Sequence, residues 1–156
     1  MNEYYHGTLK TDDVISKDTV DLVPGQYTTI GEYVVAADEQ VGMGYGNDDT
    51  QQNAQGRIFA GLYTEDGTPI SGKFRIIQVS SQNIPIGIRP VLLDVDAAAL
   101  CQGENDRIGQ IPFPWNKTLL SHFKKYVFQV LNDTEAVQTV SKAHSNILMD
   151  ITRKLV

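Results

Sequence analysis

The chain has 156 residues, a formal net charge of −6 at pH 7 and a sequence pI near 4.9. A chain of this length suits one domain, which buries roughly 70% of the surface of its unfolded form. The acidic balance argues against a nucleic-acid partner, because backbone binding relies on clustered Lys and Arg side chains. The single cysteine, Cys101, excludes an intrachain disulfide.

The start of the chain is polar and acidic. A signal peptide needs a basic start followed by an apolar run, so we expect none. No apolar stretch approaches the ~20 residues of a membrane span, so we expect no membrane partner. Residues 1–19 predict an extended N-terminal arm, and residues 20–156 predict a single β-sandwich domain.

The first half of the predicted domain contains two β-rich segments and a long loop. Residues 19–23 alternate apolar and polar side chains, which indicates a strand. Residues 26–37 are rich in β-branched and aromatic residues, and Gly31 within them predicts a bulge or bend. Residues 38–57 are rich in Gly, Asn and Gln, which predicts a long loop or a weak strand that contacts a partner.

The clearest local pattern is a pair of β-rich runs, 57–63 and 72–79, on either side of an Asp-Gly dipeptide at 66–67. This pattern predicts a hairpin, because Gly tolerates the positive φ that hairpin turns demand. Alternation in the second run predicts which side chains face the core, Phe74 and Ile76, and which face water, Lys73 and Arg75.

The second half mixes strand patterns with proline-rich segments. Residues 84–90 contain two prolines and predict an edge segment or extended linker. Residues 91–96 predict a strand. Residues 102–116 predict a loop that ends in a stiff Pro-rich stretch carrying Trp115, the single tryptophan.

The last third is the least regular part of the sequence. Residues 118–126 predict a short helix. Residues 132–156 fit both helical spacing and strand alternation, and we expect a short helix or turn followed by a strand over 147–155. The many short strands and closely spaced turns predict a mainly β protein, an antiparallel sandwich or barrel with one or two short helices.

No motif predicts a catalytic, cofactor-binding or metal-binding residue. Residues 42–46 contain glycines typical of a nucleotide loop, but Asn47 replaces the third glycine of the dinucleotide fingerprint. The oxygen-rich residues 47–51 leave an irregular Ca²⁺ site open. Asp94 and Asp96 share one face of a predicted strand, and paired carboxylates leave acid–base chemistry open. The three histidines are far apart and show no metal-ligand spacing.

Aromatic and apolar residues in the irregular segments predict an interaction surface. Tyrosine combines apolar contact with hydrogen bonding, which suits wet interfaces. An aromatic side chain on a stiff extended segment also suits an interface. The predicted interface residues, taken from the arm, the loop and the Pro-rich segment, are Tyr4, Tyr5, Met43, Tyr45, Phe113 and Trp115.

The polar arm, the β-rich residues 24–37 and the block VGMGYG (41–46) leading to QQNAQGRI (51–58) resemble small structural proteins of virus particles. These are the coat, decoration or minor capsid proteins of microbial viruses. The resemblance implies a β-sandwich or jelly roll that acts as a symmetric oligomer, without enzymatic activity or a cofactor.

The same resemblance implies partners and a location. The partners would be copies of the same chain or a shell-forming capsid protein, and the location would be the virion after synthesis in the host cytoplasm. Two alternatives stay open. One is a β-sandwich binding module for a sugar, peptide or small ligand, and the other is a small β-fold enzyme that uses carboxylates such as Asp94 and Asp96.

Overall fold

The computed structural model describes residues 4–36, 39–43, 53–80, 91–97, 101–102, 105–106, 108–114 and 123–155. Most of the described chain forms antiparallel strands, which confirms the prediction of a mainly β protein. The elements in chain order are β1 (Tyr4–Lys10), α1 (Thr11–Val14), β2 (Thr19–Leu22), β3 (Tyr27–Val34), β4 (Glu39–Met43), β5 (Asn53–Gly61), β6 (Gly72–Ser80), β7 (Val91–Asp96), β8 (Cys101–Gln102), β9 (Asn105–Asp106), β10 (Ile108–Pro114), β11 (Phe123–Asn132), β12 (Gln138–Ser141) and β13 (Asn146–Leu155).

Two antiparallel sheets form a jelly-roll-like sandwich, as the sequence predicted. The five-stranded sheet has the order β1-β13-β5-β10, and β4 also pairs with β13. Strand β13 is central because it pairs with β1 along one edge and with β5 and then β4 along the other. The four-stranded sheet has the order β3-β11-β6-β7, and the pairs β12-β2 and β8-β9 form short ribbons.

The core lies between the sheets and follows strand alternation. In β11 the inward side chains of Tyr126, Phe128 and Val130 are buried, and they share one core cluster with the buried Ile147 of β13 in the other sheet. Phe128 stacks on Phe74 of β6 with the ring centroids 6.3 Å apart. Each buried side chain of this size contributes roughly 1.5–3 kcal/mol, so these contacts hold the two sheets together.

The N-terminal segment differs from the predicted extended arm. Strand β1 pairs with β13 over its full length. Leu9 is fully buried, and Val14 and Ile15 are also in the core. Residues 4–15 therefore belong to the sandwich. Their polar composition is compatible with this position, because a strand with one face toward solvent needs few inward apolar side chains.

Gly31 lies at a bulge, as predicted from its place in the sequence. The register of β3 against β11 shifts between Phe128 and Gln129, opposite Gly31. A Cβ atom at Gly31 would lie 2.2 Å from the Val14 carbonyl oxygen. The glycine therefore allows α1 to pack closely against β3.

The two strands of the predicted hairpin are confirmed, but their pairing is wrong. Strand β5 lies in the five-stranded sheet and β6 in the four-stranded sheet. The residues between them form a tight turn, in which the Ile70 N–H donates to the Leu62 carbonyl oxygen at 2.9 Å and Gly67 has a φ of +83°. The Asp-Gly pattern specifies this turn. The flanking strands separate because each buries its apolar side chains from a different sheet. Phe74 and Ile76 are fully buried, as predicted.

Two predicted loops are shorter in the structure. The loop over 102–116 is wrong for residues 108–114, which form β10 at the end of the strand order. An edge strand tolerates Pro112 and Pro114, because proline has no backbone N–H to donate and one side of an edge strand needs no donor. The segment over 38–57 begins with β4 and ends within β5, and residues 44–52 lie outside the described residues.

The C-terminal part is all strand and turn in the described residues. The predicted helix over 118–126 is wrong from Phe123 onward, where β11 begins, and its first residues lie outside the described chain. The predicted final strand is confirmed as β13, and β12 with a turn precedes it. Nowhere in the described chain is a helix long and apolar enough to cross a membrane.

Candidate interaction surfaces

The predicted interface residues that fall on described strands all lie in the five-stranded sheet. Tyr4 and Tyr5 begin β1, at one end of the strand order, whereas Phe113 lies in β10 at the other end. Met43 ends β4 and pairs with Ile151 of β13. The strand order thus places Phe113 and the two tyrosines on opposite edges of the sheet.

Tyr45 and Trp115 lie outside the described residues. The predicted interface residues therefore do not form a single patch on the described strands. Their role in contacts stays a prediction.

A denser set of polar side chains lies on the outer face of the four-stranded sheet, here termed the outer sheet face. Its polar side chains are Tyr27, Thr29 and Glu32 of β3, Lys125 and Gln129 of β11, Lys73 and Arg75 of β6, and Asp94 and Asp96 of β7. Val127 of β11 and Val79 of β6 lie on the same face and are buried. Lys73 is exposed and Arg75 half-buried on this face, which agrees with the predicted alternation of β6.

One row of neighbouring residues crosses all four strands of the outer sheet face. The row runs from Thr29 through Gln129 and Arg75 to Asp94. Arg75 Nε donates to Gln129 Oε1 at 2.8 Å, and Gln129 Nε2 donates to Thr29 Oγ1 at 3.1 Å. The Gln129 amide therefore orients the Arg75 guanidinium.

Tyr27 reaches across this row. Its hydroxyl donates to the Asp94 carboxylate, with 3.2 Å to each oxygen, and the Arg75 guanidinium carbon lies 3.4 Å from the centre of the Tyr27 ring. Desolvation and then the negative charge of Asp94 raise the pKa of Tyr27, so the phenol is protonated at neutral pH and can donate. A cation–π contact of this kind contributes about 0.5–1 kcal/mol at an exposed site.

The charges of the outer sheet face are ordered by strand. From edge to edge they are Glu32 on β3, Lys125 on β11, Lys73 and Arg75 on β6, and Asp94 and Asp96 on β7. The central strands are thus cationic and the edge strands anionic. Lys125 and Glu32 form an ion pair of 3.1 Å. Among the described side chains the charges of this face balance, although the chain is acidic.

A buried asparagine fixes the segment that leads into Tyr27. Asn132, at the end of β11, is fully buried. Its Nδ2 donates to the Leu22 carbonyl oxygen at 3.0 Å, and its Oδ1 accepts from Gln138 Nε2 at 2.6 Å. The Gly25 N–H donates to the Asn132 carbonyl oxygen at 2.8 Å. These hydrogen bonds satisfy the buried Asn132 amide, which would otherwise be costly to bury, and they hold the start of β3 in place.

The loops at the Asn132 end of the sandwich carry mostly negative charge. Hydrogen bonds from Thr11 to Asn146, Tyr63 to Ser145 and Ser71 to Asp133 bring these loops together. Their exposed carboxylates are Asp12, Asp13, Asp18, Asp21, Glu65, Asp66, Asp133 and Glu135. We term this region the acidic end. Like charges repel, so two acidic ends disfavour contact with each other.

A polar cleft of 630 Å³ opens at the acidic end, next to α1 and the turn after β12. Asp12 on its wall pairs with Lys142 at 3.0 Å, and Ser141 Oγ lies 2.9 Å from His144 Nδ1. A nucleophilic serine needs its histidine oriented by a third group, and the described lining shows no carboxylate bonded to His144. Within the described chain, no group of three His, Cys, Asp or Glu side chains is placed to hold a metal ion.

Sequence reasoning missed the contacts of the outer sheet face. Alternation predicts that Arg75 points to water, and the spacing of two predicts that Asp94 and Asp96 share a face. Neither pattern predicts that Gln129 and the Tyr27 ring contact Arg75, or that the Tyr27 hydroxyl contacts Asp94. Those contacts depend on the relative register of four strands, for which the sequence carries no local signal.

Comparison with solved structures finds a similar fold in proteins of virus particles. VP17, a capsid protein of bacteriophage P23-77, aligns with a TM-score of 0.50 at 8% sequence identity, covering 98% of this chain and 96% of that chain. The infectious bursal disease virus Gx strain structure aligns with a TM-score of 0.38 at 8% identity, covering 99% of this chain. The VP2 subviral particle of infectious bursal disease virus aligns with a TM-score of 0.42 at 6% identity, covering 97% of this chain.

The alignment with VP17 spans both chains, whereas this chain covers 32% of the length of each of the two infectious bursal disease virus chains. No protein-family model and no curated protein matches the sequence. At these identities the likeness concerns the fold. The chain is an antiparallel, jelly-roll-like β-sandwich whose fold resembles that of VP17, a viral capsid protein.

Proposed function

We propose that this protein is a non-enzymatic structural component of a virus particle, which assembles with copies of itself or with a shell-forming capsid protein. The observation that carries the proposal is the correspondence with the capsid protein VP17 over almost the full length of both chains. The protein is a capsid or capsid-decorating component, located in the virion after synthesis in the host cytoplasm.

The character of the described surface supports this role. The outer sheet face carries aromatic, amide and charged side chains that already hold one another in place. Side chains that are ordered before association lose little conformational freedom when they form an interface. Such a face suits repeated contact between identical subunits.

The enzyme alternative has less support. Asp94 and Asp96 are exposed on the outer sheet face, and Asp94 accepts a hydrogen bond from Tyr27. Carboxylates that act as acid and base work across a cleft that encloses the substrate. Their position on the outer sheet face suits contact with another protein better than catalysis.

The test is assembly of the purified chain. Light scattering over a concentration series, combined with electron microscopy of the same samples, should reveal discrete symmetric oligomers or closed particles. The proposal would be contradicted by a chain that stays monomeric at every concentration and also fails to bind the capsid shell of the virus that encodes it.

A further inference from the structure

We propose that the outer sheet face is the contact between two copies of this chain, with Lys73 and Arg75 of one copy facing Asp96 and Asp94 of the other. This inference rests on the proposed function and names the surface through which copies meet. The occupant of the face is a second copy because the face is complementary in charge to itself.

Long-range electrostatics narrow the choice of contact surface. Each copy carries a net charge of −6, so two copies repel one another unless a surface with locally balanced charge is brought together. The acidic end is disfavoured by its exposed carboxylates. The outer sheet face, with cationic central strands between anionic edges, avoids this repulsion.

The register of β6 and β7 makes the self-complementarity specific. Lys73 lies opposite Asp96, and Arg75 lies opposite Asp94, on adjacent strands of the same face. A two-fold axis parallel to the strands and midway between β6 and β7 places β6 of one copy over β7 of the other. The rotation keeps each residue in its own row. Lys73 therefore faces Asp96, and Arg75 faces Asp94, twice in each pair of copies.

The spacing between the two sheets and the two-fold symmetry of this arrangement are both common in proteins. Sheets packed face to face lie about 10 Å apart, a gap that Lys and Arg side chains span to reach a carboxylate. A two-fold contact uses the same patch on both copies, which is the usual form of closed homodimers. Two half-buried side chains add apolar area on the same face. Leu131 lies in the row of Lys73 and Asp96, and Ile77 lies in the row next to Arg75 and Asp94.

Two of the charged groups are ordered before association. Gln129 and the Tyr27 ring hold the Arg75 guanidinium, and the Tyr27 hydroxyl holds the Asp94 carboxylate. The ion pairs therefore form with a smaller loss of side-chain entropy than pairs between free surface residues. The arrangement also favours one geometry of association over others.

The test uses two charge-reversed variants of the full chain, K73D/R75D and D94K/D96K. Each variant presents one sign of charge on both β6 and β7, so self-association should be more than tenfold weaker than that of the wild type. Mixed at equal concentration, the two variants restore opposite charges across the interface and should form a 1:1 heterodimer. Light scattering measures the association, and native mass spectrometry separates the heterodimer from the homodimers by mass.

Controls separate loss of contact from loss of fold. The matched control is E65K/E135K, which reverses two exposed carboxylates at the acidic end and should associate at least as well as the wild type. Circular dichroism checks that each variant is folded. If the Arg75 substitution unfolds the chain, the single variants K73D and D96K repeat the swap at exposed positions.

The outcomes distinguish this inference from the proposed function. Charge-reversed variants that associate like the wild type, or a mixture that forms no heterodimer, overturn the contact while leaving assembly through another surface intact. A wild type that is monomeric throughout the concentration series also overturns the contact. In that case binding to the viral shell decides the proposed function separately.

Discussion

Gly31 and Gly7 differ in the space that surrounds their Cα atoms. A Cβ atom at Gly31 would lie 2.2 Å from the Val14 carbonyl oxygen, whereas one at Gly7 would lie 3.6 Å from the Ile151 side chain. A backbone oxygen cannot move aside without displacing α1. The absence of a side chain at Gly31 thus determines how closely the N-terminal segment packs on the four-stranded sheet.

The variant Gly31→Ala should therefore lower the free energy of unfolding by about 2–3 kcal/mol, because the added methyl group overpacks the junction of α1 and β3. Gly7→Ala is the matched control, and it should be neutral or stabilising by up to about 1 kcal/mol, since alanine restricts the unfolded chain. Urea denaturation followed by circular dichroism measures both. Equal effects of the two substitutions would contradict the close contact.

The buried hydroxyl of Tyr126 makes the stability of the fold depend on pH. The hydroxyl donates to the Val41 carbonyl oxygen at 2.6 Å, and burial followed by the interaction with Tyr33 raises the pKa of Tyr126 well above its usual value near 10. The folded state favours the neutral phenol. This contribution to stability is complete below pH 10 and is lost as the pH rises from 10 toward the folded-state pKa.

We therefore expect the free energy of unfolding to fall as the pH rises above 10. Tyr126→Phe should show a shallower fall above pH 10, together with a loss of about 1–3 kcal/mol at neutral pH from the unpaired Val41 carbonyl. Urea denaturation between pH 8 and pH 11 tests this. Parallel pH profiles for the variant and the wild type would show that Tyr126 does not titrate with unfolding.

At the scale of elements, β13 determines how the five-stranded sheet is assembled. It pairs with β1 on one side and with both β5 and β4 on the other. The N-terminal strand is therefore as much a part of the sheet as the strands that follow it. Its removal exposes one edge of β13 and the core positions that Leu9, Val14 and Ile15 cover.

Deletion of residues 1–15 should consequently abolish cooperative folding, because it removes a full strand and three core side chains. Removal of residues 1–3 leaves every described strand intact and serves as the control. The two truncated chains can be compared by thermal unfolding monitored with circular dichroism. A cooperative transition at the wild-type temperature in the longer deletion would mean that β1 is dispensable, as expected of an arm.

For the whole molecule, one continuous core joins the two sheets. It includes Leu9 of β1, Leu22 of β2, Phe74 of β6 and Ile147 of β13, so side chains from the five-stranded sheet, the four-stranded sheet and the β12-β2 ribbon share a single cluster. A core shared in this way couples the stability of each sheet to the other. The described strands should therefore unfold together.

We expect a single unfolding transition, with the same urea midpoint by far-ultraviolet circular dichroism and by intrinsic fluorescence. The experiment should be done where the chain is monomeric, because association makes the unfolding midpoint depend on protein concentration. Two midpoints separated by more than the experimental error would indicate that one sheet unfolds before the other.

The sequence alone determined the fold class and several local features. Alternation in residues 72–79 and 147–155 predicted strands that the structure contains, and Asp-Gly at 66–67 predicted the tight turn. Gly31 predicted the bulge. These features depend on the side-chain period of a strand and on the backbone freedom of glycine, which are properties of residues close together in the chain.

The tertiary structure decided which strands pair and which side chains meet. The polar residues 4–10 form a strand because β13 offers them a partner, and β5 and β6 separate because each buries its apolar face in a different sheet. The grouping of Tyr27, Arg75 and Asp94 likewise depends on the register of strands distant in sequence. Register and sheet order follow from long-range packing, for which a single strand pattern carries no information.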